Sequence, residues 1–265
     1  MDSTRPIRAL IRGLEALAVL NRRNGATVSE ITSEIRLPRT TTYRILETLS
    51  EAGYVYRDPA DDRYRLTLLV RSLADGFDDE AWITQIARPC INDLCKDIVW
   101  PVTLMSPSGT SMMIRDTTDH ASPLAVERFT AGFRLPLLVS ASGRVYLAFC
   151  PPEQRDALLE ILSRSTREED KLARSPGELE KILDATREQG YATAVRMRRV
   201  SEEVAMSVPV LVDDRVLATI AVRFSASAVP LELAVERFVP KLVETANTIR
   251  QRFGEAQSEN QGHAI

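Results

Sequence analysis

The apolar positions of the first fifty residues recur at three- and four-residue spacing, which is the period of amphipathic helices. This spacing predicts a helix over residues 5–23 that ends at Asn24-Gly25, and a short helix over 29–35. A third helix is predicted over 38–51 from the same spacing of Thr42, Ile45, Leu46 and Leu49. Pro38 can begin it, because proline is tolerated in a first helical turn. The turn at Arg36-Leu37 has the length of a helix-turn-helix connection and requires a left-handed backbone at Arg36.

The pattern changes after Gly53, where two short runs with strand character follow the helices. Residues 54–57 and 63–66 are predicted to be strands, and the acidic segment between them is rich in turn-forming residues. Three helices followed by a hairpin are typical of a winged helix-turn-helix. We expect this domain over residues 1–66.

The exposed face of the third predicted helix carries small hydroxyls and an arginine. Such side chains suit the DNA major groove, because arginine reads guanine edges and threonine offers a methyl or a hydroxyl group. A solvated polar face is the alternative. The arginines of the hairpin are expected to meet phosphates, with the acidic loop tip kept away from DNA. The predicted DNA-contacting residues are Arg39, Thr40, Thr41, Tyr43, Arg44, Arg57, Arg63 and Arg65.

Strands and helices alternate in the rest of the chain, which predicts an α+β fold for residues 79–254. Residues 67–78 are predicted to form a linker helix, and the polar residues 255–265 a disordered tail. Pro89 is expected to kink a helical run or to start a second helix within it. Two hairpins are predicted, at 102–105 with 111–115 and at 206–212 with 216–224, and helices at 142–149, 152–163, 176–189 and 231–253.

Length and charge narrow the function classes. The 265 residues exceed one usual domain, and no apolar run reaches the roughly 18 residues that span a bilayer. The N-terminus lacks the apolar centre of a secretory signal, so we expect a cytoplasmic protein without a membrane partner. The first seventy residues carry 11 arginines, no lysine and 9 acidic residues, a net charge of +2 in a chain of −3. This part is expected to meet a polyanion.

Residues for catalysis or metal binding are scarce. The three cysteines, Cys90, Cys95 and Cys150, form no CxxC pair and are expected to be reduced thiols. His120 and His263 have no neighbouring ligands at metal-site spacing. Neither a nucleophile elbow nor a glycine-rich phosphate loop occurs. The sequence therefore predicts no enzyme, cofactor or metal.

Four segments carry a resemblance to a known family: RGLEALAVLNRRNGA, VSEITSEIRLPRTTTYRILETLSEAGYV, YRLTLLVRSLADGF and RLPLLVSASGRVYLAF. With them, nearly the whole chain resembles the IclR family of bacterial transcription regulators. The resemblance implies a GAF-like effector-binding domain with a ligand pocket, and a homodimer joined through the first helix and the linker. The segments DEAWI, IVWPVT and LAFCPPEQR are most similar to a subgroup that activates 3-(3-hydroxyphenyl)propionate catabolism.

The segment Ser140-Ala141-Ser142-Gly143 is a candidate anion site, because the free N–H groups and the dipole of a following helix favour negative charge. A helix cap at Ser142 without a ligand is the alternative. The family resemblance implies that this segment borders the effector pocket. Candidate counter-charges are Arg115, Arg134 and Arg223. Candidate apolar wall residues are Leu135, Leu137, Leu138, Val145, Tyr146 and Met206.

Together these observations predict a ligand-responsive regulator that binds double-stranded operator DNA as a homodimer or a dimer of dimers. The expected effector is a small aromatic carboxylate, and the expected target is an aromatic-acid catabolic operon under activation, with RNA polymerase as a further contact. A repressor of the same architecture is one alternative. A small-molecule binding module whose helix-turn-helix contacts protein is another.

Overall fold

The N-terminal part of the protein folds as three helices followed by a two-stranded hairpin. In the computed structural model, which describes residues 6–23, 25–73, 79–197 and 202–262, the chain divides between Asp78 and Asp79 into an N-terminal and a C-terminal unit. The N-terminal unit contains α1 (Arg8–Arg22), α2 (Val28–Ile35), α3 (Arg39–Glu51), β1 (Val55–Arg57), β2 (Tyr64–Leu66) and α4 (Leu69–Ser72).

Apolar side chains from the three helices and the hairpin form one core in the N-terminal unit. Its buried members are Ala16, Val19, Leu20, Ala26, Ile31, Leu46, Val55 and Tyr64. Because β1 pairs antiparallel with β2 and both contribute to this core, the hairpin packs on the helices as a wing. The predicted winged helix-turn-helix is confirmed.

The start and the end of α2 are both fixed by hydrogen bonds. The Thr27 hydroxyl accepts from the Glu30 N–H at 3.3 Å, and the Glu30 carboxylate accepts from the Thr27 N–H at 2.7 Å, which together form a capping box. Arg36 has a φ of 53° and a ψ of 44°, so the predicted left-handed turn between α2 and α3 is confirmed.

An antiparallel sheet forms the centre of the described C-terminal unit. Its strands are β3 (Val102–Ser108), β4 (Ser111–Thr117), β5 (Arg134–Pro136), β6 (Ala192–Met197), β7 (Glu202–Val212) and β8 (Arg215–Ser225), in the order β5-β4-β3-β8-β7-β6. The unit begins with α5 (Asp79–Trp82), a π-helical turn (Ile83–Ala87) and α6 (Arg88–Ile98). It continues after β5 with α7 (Ala141–Phe149), α8 (Pro152–Ser163), a 3-10 helix (Glu168–Arg174) and α9 (Pro176–Gln189), and ends with α10 (Leu231–Gly262).

Helices cover both faces of this sheet. The face that carries Val204, Met206 and Val208 packs against α6 and α10. The other face, with Met105, Met112 and Ile114, packs against α7, which in turn packs on α9; Leu162 of α8 belongs to the same core. Pro89 lies in the first turn of α6, so it starts a second helical segment. No helix among the described residues is long and apolar enough to cross a membrane.

Several element bounds differ from the sequence prediction. The first hairpin turns at Gly109-Thr110, so residues 106–108 belong to β3. Pro107, which has no N–H to donate, fits in this strand because β8 pairs with β3 only as far as Met105. The strands β5 and β6 were not predicted. The prediction of a disordered tail is wrong for residues 255–262, because α10 continues to Gly262. Glutamate, glutamine and alanine in this segment extend a helix that is already formed. The linker helix is observed only at Leu69–Ser72; residues 1–5, 24, 74–78 and 263–265 lie outside the described residues.

Candidate functional site

The face of α3 that points away from the core is open to solvent. Its N-terminal half exposes Arg39, Thr40, Tyr43 and Arg44, with Thr41 half-buried. The opposite side of the helix buries Thr42 and Leu46. Within the described residues, neither Arg39 nor Arg44 forms an ion pair; Arg39 donates only to the Ser29 hydroxyl at 3.3 Å. The positive charge of this face is therefore available to a ligand.

The arginines of the wing are already paired with carboxylates. Arg57 lies 2.5 Å from Asp62, and Arg65 lies 2.6 Å from both Asp58 and Asp61. The hydrogen bond with Arg65 lowers the pKa of Asp61, and the hydrogen bond with Asp62 raises the pKa of Arg57. The acidic wing tip therefore neutralises two arginines that sequence analysis assigned to phosphate contacts.

The third arginine of the wing, Arg63, joins the wing to the start of α2. Its guanidinium lies 3.1 Å from the Glu30 carboxylate and donates to the Gly25 carbonyl at 3.1 Å. The same carboxylate caps α2, and the backbone hydrogen bond from Thr27 is the main cause that lowers the pKa of Glu30. Arg63 therefore has a structural role that the sequence did not predict.

A cavity of about 370 Å³ opens on the α7 side of the sheet in the C-terminal unit. Residues of β3, β7 and β8 form its floor, and its walls come from the loop between β4 and β5, the start of α7, and β6. Most lining side chains are apolar. Its charged residues are Arg134, Arg196, Glu203 and Arg223. This size and this composition suit a small organic ligand.

The start of α7 lines one part of the cavity. Ser140, Ala141 and Ser142 belong to its wall, and the positive end of the nine-residue α7 dipole lies there. Ser140, rather than Ser142, is the N-cap, because its hydroxyl accepts from the Gly143 N–H at 3.1 Å. The Ser142 hydroxyl instead lies 3.1 Å from the Ser207 hydroxyl of β7.

Gly143 has a packing role rather than a place in the cavity wall. A Cβ at this position would lie 2.1 Å from the Leu137 carbonyl oxygen and 2.5 Å from the Leu137 Cα. Only glycine therefore allows the chain before α7 to pass this close to the helix. The Gly143 N–H was predicted to bind an anion, but it already donates to the Ser140 hydroxyl.

Arg223 of β8 forms a buried ion pair beside the cavity. Its side chain is 8% exposed, and Nη2 lies 2.5 Å from the fully buried carboxylate of Asp119. Nη1 lies 3.6 Å from Glu203 and 3.3 Å from the Glu127 carbonyl oxygen, and the guanidinium lies 4.5 Å from the Phe129 ring centroid. Nε is buried and has no hydrogen-bond partner among the described residues.

Two predicted effector residues, Arg115 and Met206, do not line the cavity. Successive residues of a strand point to opposite faces of the sheet. Ala205 lines the cavity, so the next residue, Met206, points to the other face and packs in the core against α6 and α10. Arg115 lies at a β-bulge, between Ile114, which pairs with Met105, and Asp116, which pairs with Leu104. Of the six residues predicted for the apolar wall, only Leu135 lines the cavity. Besides Met206, four others are buried and do not line it: Leu137, Leu138, Val145 and Tyr146.

The aromatic part of the cavity comes from residues that the sequence analysis did not assign. Phe129 and Phe133, in the loop between β4 and β5, line the cavity with their ring centroids 4.8 Å apart. The strand β6 adds Ala194, Val195 and Arg196. Two phenylalanines four positions apart in a polar loop were the available signal for this wall.

Arg144 connects two walls of the cavity. Its Nε donates to the Leu138 carbonyl at 3.0 Å, and its Nη1 donates to the Thr193 carbonyl of β6 at 3.0 Å. Burial lowers the pKa of Arg144. The guanidinium therefore holds β6, the edge strand of the sheet, against the start of α7.

The described residues contain no group of three histidine, cysteine, aspartate or glutamate side chains that could hold a metal ion. Cys90, Cys95 and Cys150 are buried and form no disulfide. Burial raises the pKa of Cys150 to about 11, so its thiol stays protonated at neutral pH and is a poor nucleophile.

Comparison with known proteins gives two matches to family models. The model of the IclR helix-turn-helix domain matches residues 9–59, and the model of the C-terminal domain of the bacterial transcriptional regulator IclR matches residues 79–251. The transcriptional regulator KipR of Bacillus subtilis is 26% identical over 71% of this chain and 74% of its own. The transcriptional repressor YiaJ of Escherichia coli is 26% identical over 93% of this chain and 88% of its own. A solved IclR homologue from Microbacterium hydrocarbonoxydans, in complex with 4-hydroxybenzoate, has 24% identity and a TM-score of 0.53 over 92% of this chain and 98% of that chain.

Proposed function

The chain belongs to the IclR family of bacterial transcriptional regulators, and we propose that it activates an aromatic-acid catabolic operon when a small aromatic carboxylate binds. That it is a DNA-binding transcription regulator, and not an enzyme, follows from family membership. The observation that carries the ligand class is the cavity of the C-terminal unit, where the Phe129 and Phe133 rings and the positive end of α7 line one space. An aromatic ring packs on the two phenylalanines, and the positive end of α7 stabilises a carboxylate.

The carboxylate binds at the start of α7 in this proposal. The first amides of the helix, those of Ala141 and Ser142, precede the capped Gly143 N–H, and an anion there gains from the helix dipole. Arg134, exposed in β5 and lining the same cavity, supplies a counter-charge. Its guanidinium donates to the Ser108 carbonyl at 3.2 Å and keeps further donors for the ligand.

Arg223 is a poor counter-charge for the effector because it is already neutralised. Its guanidinium lies 2.5 Å from the buried Asp119 carboxylate and 3.6 Å from Glu203. The carboxylate of a ligand there would compete with these groups and would lose its hydration on burial. Of the candidate arginines Arg115, Arg134 and Arg223, we therefore propose that Arg134 binds the carboxylate of the effector.

The aromatic class and the activator role rest on likeness to other proteins. The segments DEAWI, IVWPVT and LAFCPPEQR resemble regulators that activate 3-(3-hydroxyphenyl)propionate catabolism, and the Microbacterium homologue was solved with 4-hydroxybenzoate. Repression is the second candidate, which the relative YiaJ favours because it is a repressor. In the activator role, RNA polymerase is the expected protein partner.

For DNA binding we propose that α3 enters the major groove of the operator. The unpaired arginines Arg39 and Arg44 contact guanine edges or phosphates, and Thr40, Thr41 and Tyr43 contact the adjacent bases and backbone. The wing arginines are exposed enough to approach phosphate, but each would share its charge with a carboxylate. We therefore assign most of the DNA affinity to α3 and less to Arg57, Arg63 and Arg65.

We further propose that the protein is a homodimer, or a dimer of such dimers, joined through the N-terminal unit. The helix α1 exposes Leu10, Ile11 and Leu14. Apolar side chains exposed in this number are typical of a surface that another subunit covers. The α1 helix of a second subunit is the proposed partner of this surface.

Gel-shift and in vitro transcription experiments test this function on the DNA beside the gene. The full chain should bind a palindromic site, and a hydroxyphenylpropionate or hydroxybenzoate should raise transcription by RNA polymerase from the adjacent promoter. Lower transcription on addition of protein, relieved by the acid, would assign repression instead. Absence of any specific DNA complex would overturn the regulator and favour a binding module whose helix-turn-helix contacts protein.

A further inference from the structure

We propose that Arg36, in the turn between α2 and α3, binds a phosphate of the operator DNA backbone. The sequence prediction did not include this residue among the DNA contacts. The inference rests on the proposed entry of α3 into the major groove, because the turn comes directly before that helix. It assigns to the turn a contact that contributes affinity rather than sequence preference.

The first observation is the backbone of Arg36, which is left-handed with a φ of 53° and a ψ of 44°. The N–H groups of Arg36 and Leu37 both donate to the Thr32 carbonyl and close the end of α2 with a left-handed cap. Glycine is the usual residue at such a cap, because a Cβ makes the left-handed conformation less favourable. The fold alone therefore favours glycine over arginine at this position.

The second observation is that the side chain of Arg36 has no use within the described structure. Aspartates occupy several left-handed turns elsewhere in the described chain: Asp62, Asp213 and Asp214. Aspartate tolerates this conformation because its short side chain can hydrogen-bond locally. The exposed Arg36 side chain forms no hydrogen bond or ion pair among the described residues. Glu34, the nearest acidic residue in sequence, pairs with Arg23 at 3.1 Å. The guanidinium of Arg36 is therefore available to a partner outside the chain.

The position of the turn gives the class of that partner. In a helix-turn-helix the first helix crosses the DNA backbone, and the N-terminal residues of the second helix enter the major groove. The turn that joins them therefore lies at the edge of the groove, where the phosphates are. Arg36 precedes Arg39, the first residue of α3, by three positions, and both side chains are exposed. A guanidinium at this edge can donate two parallel hydrogen bonds to one phosphate.

Substitution by glycine tests the proposal, because it removes the side chain and relieves the left-handed strain together. Arg36→Gly should unfold at the same temperature as the parent protein or at a higher one. Its affinity for DNA should nevertheless fall about 3- to 10-fold at physiological salt, and the slope of log K against log salt should become shallower by about 1. A residue with a purely structural role would not lower DNA affinity while the protein keeps its stability.

Fluorescence anisotropy on the full chain measures binding to a duplex from the DNA beside the gene and to an unrelated duplex of equal length. Arg36→Lys keeps the charge and should keep most of the affinity for both duplexes. Arg36→Asn should lose as much affinity as Arg36→Gly, because asparagine tolerates a left-handed backbone but carries no charge. Arg250, exposed on α10, provides the matched control. Arg250→Gln removes the same charge from the C-terminal unit and should leave binding unchanged.

The outcomes separate this inference from the proposed function. Parent-like affinity of Arg36→Gly, together with weaker binding by Arg44→Ala, overturns the phosphate contact and leaves the binding of α3 to DNA standing. A loss confined to the duplex from beside the gene assigns a base contact to Arg36 and also overturns the phosphate contact. A lower unfolding temperature of Arg36→Gly overturns it too, as does an equal loss of affinity in Arg36→Lys or in Arg250→Gln. Parent-like binding by both Arg36→Gly and Arg44→Ala overturns the proposed role of α3 as well.

Discussion

At the scale of single residues, the structure separates arginines that are free to bind from arginines that are not. Arg39 and Arg44 on α3 lack carboxylate partners in the described structure, whereas Arg57 and Arg65 lie within 2.6 Å of aspartates. The sequence predicted all four as DNA contacts, because residue type and helix rotation say nothing about side chains brought close by a turn. The exposed side of α3 was predictable from its 3.6-residue period.

This difference predicts unequal effects on operator binding. Arg44→Ala should weaken specific binding by about 1 to 3 kcal/mol and relax one base preference, because it removes a free contact to DNA. Arg57→Ala is the matched control and should change affinity less, since Asp62 already neutralises Arg57. Fluorescence anisotropy over a salt series measures both effects. Equal losses in the two variants would contradict the assignment to α3.

A second residue-scale prediction concerns Gly143. Gly143→Ala should destabilise the C-terminal unit by about 1 to 3 kcal/mol, because the new Cβ lies 2.1 Å from the Leu137 carbonyl and forces α7 to move. Gly177→Ala, in the first turn of α9, is the control, since a Cβ there meets nothing within 4 Å. Chemical denaturation measures both; equal stability of the two variants would mean that α7 accommodates the methyl group.

At the scale of elements, prediction succeeded where local chemistry decides the structure. The winged-helix elements, the bounds of α8 and α9, and the Asp213-Asp214 turn, whose residues both have positive φ, follow from short-range patterns. The strands β5 and β6 were missed because β5 has three residues and β6 depends on pairing with β7. The position of the cavity depends on sheet order and could not be read from local patterns.

The capping box of α2 predicts how the N-terminal unit responds to acid. Hydrogen bonds hold the pKa of Glu30 below its ordinary value of 4.5, so the stabilisation is present above that value and is lost as the pH falls through the lower, folded-state pKa. At neutral pH the parent protein should therefore unfold at a higher temperature than Glu30→Gln. This difference in unfolding temperature should shrink as the pH falls. A constant difference between the two proteins would contradict this linkage.

At the scale of the whole molecule, charge and apolar surface support the proposed dimer on DNA. The first seventy residues are basic in an acidic chain, and α1 leaves leucines uncovered. The homodimer was expected from the family resemblance and stays a prediction, because a single chain carries no partner. Its two-fold symmetry would require inverted half-sites separated by about one helical turn of DNA or a multiple of it.

Light scattering tests this assembly directly. The full chain should be a dimer or larger at micromolar concentration, and Leu14→Glu should shift it toward the monomer by placing a charge in the apolar surface of α1. Glu15→Gln changes an exposed residue of the same helix without placing a new charge on it and serves as the control. A monomeric parent protein would overturn the dimer and the two-fold operator together.

The contact between Arg144 and the Thr193 carbonyl has a consequence for solubility. An edge strand presents unpaired backbone groups that can template a strand from another molecule, which is a common start of aggregation. On β6 one of these acceptors is occupied by a guanidinium, and a cation stands where an incoming strand would lie. The same side chain that fixes the cavity wall therefore protects the sheet against edge-to-edge association between molecules.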